Sequence, residues 1–262
     1  MRLAHDRSLS YDQLVSVTLR ALSILDTFDW GHRRLKLSDI ARRANLPMAT
    51  AHRHVQELVG WQALERREDG SYQIGERLWR LGLLSAMHVE LREAALPFLQ
   101  ELCAQTGDAV QMAVRDGLRA LCVERLAGLR SVPVVSRPGG TLPLHASSVG
   151  KLLLAWAPEE TQREALANLD RHTARTVVEP ARLGAELAEI RRTGVAVARE
   201  ELVVGASSMA VAVTAPDGTV VAAVGLVAPS RRPNLASRLP ALRATVAAVS
   251  ARLRLRDAMS TS

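Results

Sequence analysis

The 262-residue chain carries a formal net charge of +7, and all but two of its 34 basic residues are arginine, Lys36 and Lys151 being the exceptions. No apolar run reaches the roughly 18 to 20 residues of a membrane span, the start "MRLAHDRSLSYDQL" lacks the apolar stretch of a secretory signal, and two cysteines, Cys103 and Cys122, make no disulfide framework. These features predict a cytoplasmic protein without membrane association, long enough for two domains of about 100 to 200 residues.

From Tyr11 to Phe28, the apolar residues Leu14, Val17, Ala21, Ile24, Leu25 and Phe28 follow the stripe of an amphipathic helix. Ser38 is the expected N-cap of a second helix that buries Ile40, Ala41 and Ala44. Asn45 tolerates the left-handed conformation of a sharp helix exit, and Pro47 can start a helix but not continue one. A third helix then runs from about Pro47 to Val59, with Ala51, Val55, Leu58 and Val59 inside. Thr50, Arg53, His54 and Glu57 fall at i, i+3, i+4, i+7 and are expected to face outward together. Small Ala49 and Thr50 at its start permit the close approach that a recognition helix needs in a major groove. Charge concentrates here: residues 32–53 hold Arg33, Arg34, Lys36, Arg42, Arg43 and Arg53 against the single acid Asp39.

"ALERREDGSYQIG" reads as a β-hairpin, with Leu64 and Arg66 on one arm, Tyr72 and Ile74 on the other, and Asp69-Gly70 as its turn. A helix-turn-helix followed by a hairpin bearing Arg66 and Arg67 is a winged helix. Arg42, Arg43, Arg66 and Arg67 suit phosphates, which position a protein on DNA without specifying sequence; each is equally readable as a solvated surface arginine.

Residues 76–106 read as helical, ending at Gly107, and the domain boundary is placed around His88 to Arg92. From Val110 the apolar period becomes two. "VQMAV", "RALCVERL" and "VPVV" predict three strands; helices follow over 144–156, 158–169 and 180–193, the last stopped by Gly194. "VAVARE", "SMAVAV" and "TVVAAVGLVA" predict three more strands, and a helix from Leu235 closes the chain. The second domain is therefore α+β on a mostly antiparallel sheet. The expected organisation is a winged helix-turn-helix over 1–77, mostly α with a β-hairpin wing; a linker helix over 78–91; the α+β domain over 92–256; and a disordered tail over 257–262.

"IARRANLP" with the following Thr50 and "HR", then "DGSYQIG", "SRPGGTLPLHASSVGK" and "EIRRTGVAVAREELVVG", occur in this order over roughly residues 14–255 and together resemble the IclR family of bacterial transcriptional regulators. The resemblance implies an N-terminal winged helix-turn-helix, a linker helix and a C-terminal GAF-like domain that binds a small-molecule effector. It further implies homodimers or homotetramers on palindromic double-stranded operators, often controlling catabolism of organic or aromatic acids, with repression expected here before activation.

The family pattern places a cation, a Ser and a Thr after the turn proline, and an Arg one turn later. Here Met48 and Ala49 replace the first two after Pro47, while Thr50 and Arg53 match. Arg53 is expected to donate two hydrogen bonds to guanine, and Thr50 to meet a thymine methyl or a phosphate. His54 stands where the family has an apolar residue, and is either a packing histidine or a base contact. In small-acid-binding relatives, the turn matching Ser147, Ser148 and Val149 contacts the effector; its backbone N–H groups at a helix start suit a carboxylate, with N-capping by a serine as the alternative. Relatives often carry Asp at Ala198, Arg-Cys at Ser207-Ser208, and hydroxyls near Gly225 and Val227. Their replacement implies a larger, partly apolar effector, an aromatic acid rather than glyoxylate or pyruvate.

No GxSxG elbow surrounds Ser147 or Ser148, and no acid is placed to orient His145, so catalysis is not expected. The histidines and cysteines have no metal-ligand spacing, and neither metal nor cofactor is predicted. A constitutive DNA binder with a vestigial pocket and a pocket enzyme tethered by its N-terminal domain remain the alternative readings.

Overall fold

The computed structural model describes residues 16–82, 84, 86–129, 136–231 and 235–260. It divides into two compact units, Met1–Val89 and Glu90–Ser262.

In the first unit, helices α1 (Val17–Leu25), α2 (Leu37–Arg43) and α3 (Met48–Gly60) precede strands β1 (Leu64–Arg66) and β2 (Tyr72–Ile74) and helix α4 (Glu76–Gly82). Ile24, Leu35, Ile40, Leu46, Val55 and Tyr72 form its centre. The α2–α3 break is built by Asn45 at φ 53° and by Leu46, which is buried and donates its N–H to Ala41 O at 2.9 Å. A left-handed residue turns the chain and an apolar anchor fixes it, so α3 restarts at a large displacement without losing the core. The N-cap of α2 is Lys36 rather than Ser38. Leu35 bridges to Tyr72, leaving Lys36 extended, and Leu37 packs against the core as the first helical residue, so Ser38 is carried into the exposed first turn.

The hairpin β1–β2 pairs Leu64 with Ile74 and Arg66 with Tyr72. Gly70 turns it at φ +76°, and Asp69 Oδ1 accepts from Ser71 N at 2.9 Å and Ser71 Oγ at 2.6 Å. Those bonds hold the Asp69 carboxyl below its ordinary range.

The second unit contains α5 (Ala86–Thr106, entered from the first unit), β3 (Ala109–Asp116), β4 (Arg119–Leu126), β5 (Thr141–Pro143), α6 (Ser148–Ala155), α7 (Glu159–Ala167), α8 (Pro180–Thr193), β6 (Val195–Arg199), β7 (Ala206–Thr214), β8 (Val220–Pro229) and α9 (Leu239–Ser260). The six strands form one sheet in the order β5-β4-β3-β8-β7-β6, every neighbouring pair antiparallel. One face carries α6, α7 and α8; the other carries α5 and α9. Val132 to Val135, expected as a strand, lie outside the described residues, and the edge strand is instead Thr141–Pro143. Residues 144–147, expected as helix, are a turn in which Ser147 Oγ caps α6 by accepting from Gly150 N. The last helix continues to Ser260, through positions 257–260 that were expected to belong to a tail.

The α6-bearing face is made of very small side chains: Ala113 on β3, Ala223 and Gly225 on β8, Ala210 on β7, and Ala196 and Ala198 on β6. Small residues let α6 approach the sheet closely. A Cβ on Gly150 would stand 2.5 Å from Pro143 O, and one on Gly225 would stand 2.9 Å from Val149 Cγ1.

Candidate nucleic-acid interface and buried cavity

Helix α3 is positioned by Ala51 and Val55, both fully buried. That fixes its outward stripe as Ala49, His52, Arg53 and Gln56, spaced i, i+3, i+4, i+7 and all exposed. Met48 and Pro47 are exposed at its start, and Thr50 is half-buried. His54 is not on this stripe. It is 0 % exposed, its Nδ1 lies 2.9 Å from Glu57 Oε2, and its Nε2 has no partner. Of its two readings the packing histidine is the one the structure has, because residue 54 adjoins Val55 on the inner face and follows Ala51 by three. His52 and Gln56 are not in the stripe expected from the sequence: a stripe starting at Thr50 instead of Ala49 is rotated by one residue, which exchanges His52 for His54.

Around this stripe the arginines divide. Arg53 and Arg66 are exposed, Arg42 pairs with Asp39 at 3.0 Å, and Arg67 donates to Gln73 Oε1 at 3.3 Å on the wing. Arg43 is already engaged: its Nε donates to Thr27 O at 2.9 Å and its other nitrogen meets Asp29 Oδ2 at 2.8 Å, which clasps the segment after α1 to α2.

In the second unit a small cavity, about 40 Å³, opens between the sheet and the start of α6. Val227, Ser208 and Ala198 stand opposite one another on β8, β7 and β6 and make its floor. Ala146 and Ser147 form the roof, and Glu201, Leu202 and Val203 of the β6–β7 loop form a wall. Of the expected contacts, Ser147, Ala198, Ser208 and Val227 are thus brought together. The side chains of Ser148 and Val149 do not line the cavity: both are fully buried, Val149 in the apolar core over Gly225, which is needed for that packing. Their backbone N–H groups still open the first turn of α6, ahead of the bonds Gly150 N to Ser147 Oγ and Lys151 N to Ser147 O.

Gln111, Ser136 and Glu201 are cavity residues that sequence reasoning missed. Gln111 had one legible signal, a polar residue inside the otherwise apolar strand "AVQMAV". Glu201 is held by Lys151, whose Nζ lies 2.7 Å from Glu201 Oε1, 2.7 Å from its Oε2 and 2.7 Å from Glu186 Oε2, with the lysine side chain 0 % exposed.

Among the described residues His145 bonds no carboxylate: its Nε2 meets the backbone oxygen of Asp170 at 2.8 Å and its ring stacks on His172. Burial pushes its pKa below the ordinary 6.5. Ser147 Oγ donates to Pro143 O at 2.9 Å and accepts from Gly150 N, so its hydroxyl is spent on local structure and not aimed at a substrate. The Cys122 thiol is pushed up to about 12 by burial, with Glu124 adding to it, and is held in the inert form. Among the described residues no group of His, Cys, Asp and Glu could hold a metal ion, and no helix is long and apolar enough to cross a membrane.

Two family models cover most of this chain: the bacterial transcriptional regulator IclR C-terminal domain matches residues 84–252, and the IclR helix-turn-helix domain matches residues 17–68. The chain belongs to the IclR family of transcriptional regulators. Among IclR-family proteins, it is 30% identical over 210 residues to the HTH-type transcriptional regulator XynR of Escherichia coli K12, covering 79% of this chain and 83% of the relative. It is also 30% identical over 216 residues to the HTH-type transcriptional repressor AllR of the same strain, covering 81% and 80%. An IclR homolog from Microbacterium hydrocarbonoxydans, solved in complex with 4-hydroxybenzoate, superposes with a TM-score of 0.85 at 35% identity, over 91% of this chain and 99% of that one. The Thermotoga maritima IclR superposes with a TM-score of 0.71 at 26% identity, over 90% and 98%. The protein is accordingly a regulator with a helix-turn-helix DNA-binding domain and an α+β C-terminal domain, and not an enzyme.

Proposed function

We propose that this IclR-family protein is a cytoplasmic, sequence-specific repressor. In a homodimer or homotetramer its α3 helices read the two halves of a palindromic operator, and a small organic acid bound in the C-terminal cavity modulates that binding. The observation that carries the DNA assignment is the exposed α3 stripe. Arg53 supplies a two-pronged guanine contact, His52 and Gln56 flank it as further readers of base edges, and Arg66 at the wing takes a phosphate. Thr50 stands at the start of the same helix, with Ala49 leaving room for the groove.

For the effector, the cavity combines apolar walls with a few convergent polar groups, as small-ligand sites do. Its lining is largely apolar, through Leu142, Ala146, Leu202, Val203 and Val227, and the first turn of α6 offers N–H groups to a carboxylate. The Microbacterium relative holds 4-hydroxybenzoate, which supports an aromatic acid here. Because coupling is reciprocal, the effector regulates only if operator DNA changes its affinity as well.

The test is binding to the protein's own upstream DNA against scrambled DNA over a series of salt concentrations, with Arg53→Ala alongside. A preference of at least about a thousandfold, lost in Arg53→Ala, is expected. Equal and steeply salt-dependent binding to both DNAs would leave only charge attraction and overturn the assignment.

A further inference from the structure

Two fully buried side-chain oxygens of cavity residues have neither a hydrogen bond nor an ion pair among the described residues. Gln111 is 3 % exposed and its Oε1 is unbonded; Ser136 is 2 % exposed and its Oγ is unbonded. Of the other polar residues in the lining, Ser208 adds a hydroxyl on the floor, and Ser147 and Glu201 are committed elsewhere. Ser147 Oγ both donates to Pro143 O and accepts from Gly150 N, and the Glu201 carboxylate faces Lys151. Gln111 sits on β3 opposite Gly225, on the same sheet face as Ala113, whose side chain is in the core below α6. An apolar residue would serve packing there better, since a buried amide oxygen without a donor is a cost to the fold.

An amide oxygen only accepts hydrogen bonds. A carboxylate has no proton to give it, so in this orientation of the amide a ligand whose single polar group is a carboxylate leaves Gln111 Oε1 unpaired and is met only by turning the side-chain NH2 toward it. A hydroxyl on the same ligand would supply the donor.

We infer that Gln111 is the specificity-determining residue of the effector cavity: its side-chain oxygen accepts a hydrogen bond from a hydroxyl of the effector, so the cavity takes hydroxylated aromatic monocarboxylates in preference to the unsubstituted acids. This rests on the acid-effector reading above and adds the group that discriminates within that class. Ser136 Oγ, a donor as well as an acceptor, completes the polar rim without selecting between the two ligand types.

The experiment is calorimetric titration of the full chain with benzoate, 3-hydroxybenzoate and 4-hydroxybenzoate, on wild type and on Gln111→Met. Wild type is expected to bind at least one hydroxybenzoate about tenfold or more tighter than benzoate, equivalent to about 1.4 kcal/mol. In Gln111→Met the two should come within about threefold, through weaker binding of the hydroxybenzoate and not through tighter binding of benzoate. Gln111→Leu provides a second apolar replacement, and the wild-type comparison tests the idea whether or not either variant folds. Equal affinity of wild type for benzoate and both hydroxybenzoates, or a preference that survives in the variant, overturns the role of Gln111 and leaves the acid-effector reading standing. Failure of all three acids to bind overturns both.

Discussion

Lys151→Met keeps the length of the side chain and removes its charge from the middle of the second unit. Lys151 is fully enclosed on α6 and stands between Glu186 of α8, whose side chain is 33% exposed, and Glu201 of the β6–β7 loop, whose side chain is 9% exposed. After the substitution Glu186 regains water and keeps Arg182 at 3.6 Å. Glu201 has no such recourse, and a buried carboxylate loses its only close cation among the described residues. Breaking a buried pair on one side costs about 3–5 kcal/mol, most of it the penalty on the charge left behind. In a domain of this size each kcal/mol lowers the melting temperature by about 2–4 °C, so a fall of roughly 6–20 °C is expected. Lys151→Met/Glu201→Gln should recover most of the loss, since both charges are then gone. Thermal and urea unfolding of the four proteins of the cycle at pH 7 gives the coupling energy directly. Losses that merely add, or a Lys151→Met protein within about 1 kcal/mol of wild type, would refute the view that the pair is dry and mutually dependent.

Three further outcomes follow from other sites. His54→Leu should leave operator affinity within about threefold and keep or raise stability by up to about 1 kcal/mol, because an imidazole with an unpaired Nε2 is exchanged for an apolar side chain; loss of sequence preference in a DNA titration would restore His54 to the base-reading face. Burial pushes the pKa of His145 below its ordinary 6.5 in the fold. The unfolded chain takes up a proton near 6.5 that the folded one refuses, so stability should fall as pH drops below that value. His145→Asn should flatten this dependence in urea midpoints measured from neutral to mildly acidic pH, and an unchanged slope would exclude His145 as its source. Gly150→Ala should cost about 1–3 kcal/mol, since the new Cβ meets backbone at Pro143 and Leu144, whereas Gly184→Ala in α8, with open space around it, should gain up to about 1 kcal/mol; similar melting temperatures for the two variants would contradict the close approach of α6 to its preceding turn.

Much of this fold was legible because it is made locally. Asn45 and Pro47 mark the break between α2 and α3, Asp69-Gly70 marks the wing turn, and Gly194 at φ 72° ends α8 as its position predicts. These are constraints on backbone torsions, carried by one or two residues and independent of the rest of the chain. The periods of 3.6 and 2 likewise placed the long helices and strands. Errors arose where local preference met packing. Ser38 is a better cap than Lys36 by propensity, yet Leu35 and Leu37 are pulled into the core and set the helix start. His52 and His54 are chemically identical, and only the burial of Ala51 and Val55 decides which of them faces outward.

The sequence by itself determined the two-domain plan, the helix-turn-helix with its wing, and the α+β character of the second unit, since each depends on short-range pattern. Tertiary structure alone decided the rest. The strand order β5-β4-β3-β8-β7-β6 sets β3 beside β8, strands more than a hundred residues apart in the chain. It lays Ala, Gly and Ser from four strands side by side, so that a cavity remains under the start of α6. It also brings Glu186 and Glu201 onto Lys151 from 35 and 50 residues away and encloses Gln111 without a donor. Burial is a property of where distant segments meet, and a polar residue shows whether it is solvated, paired or waiting for a ligand only after that meeting has removed the water around it.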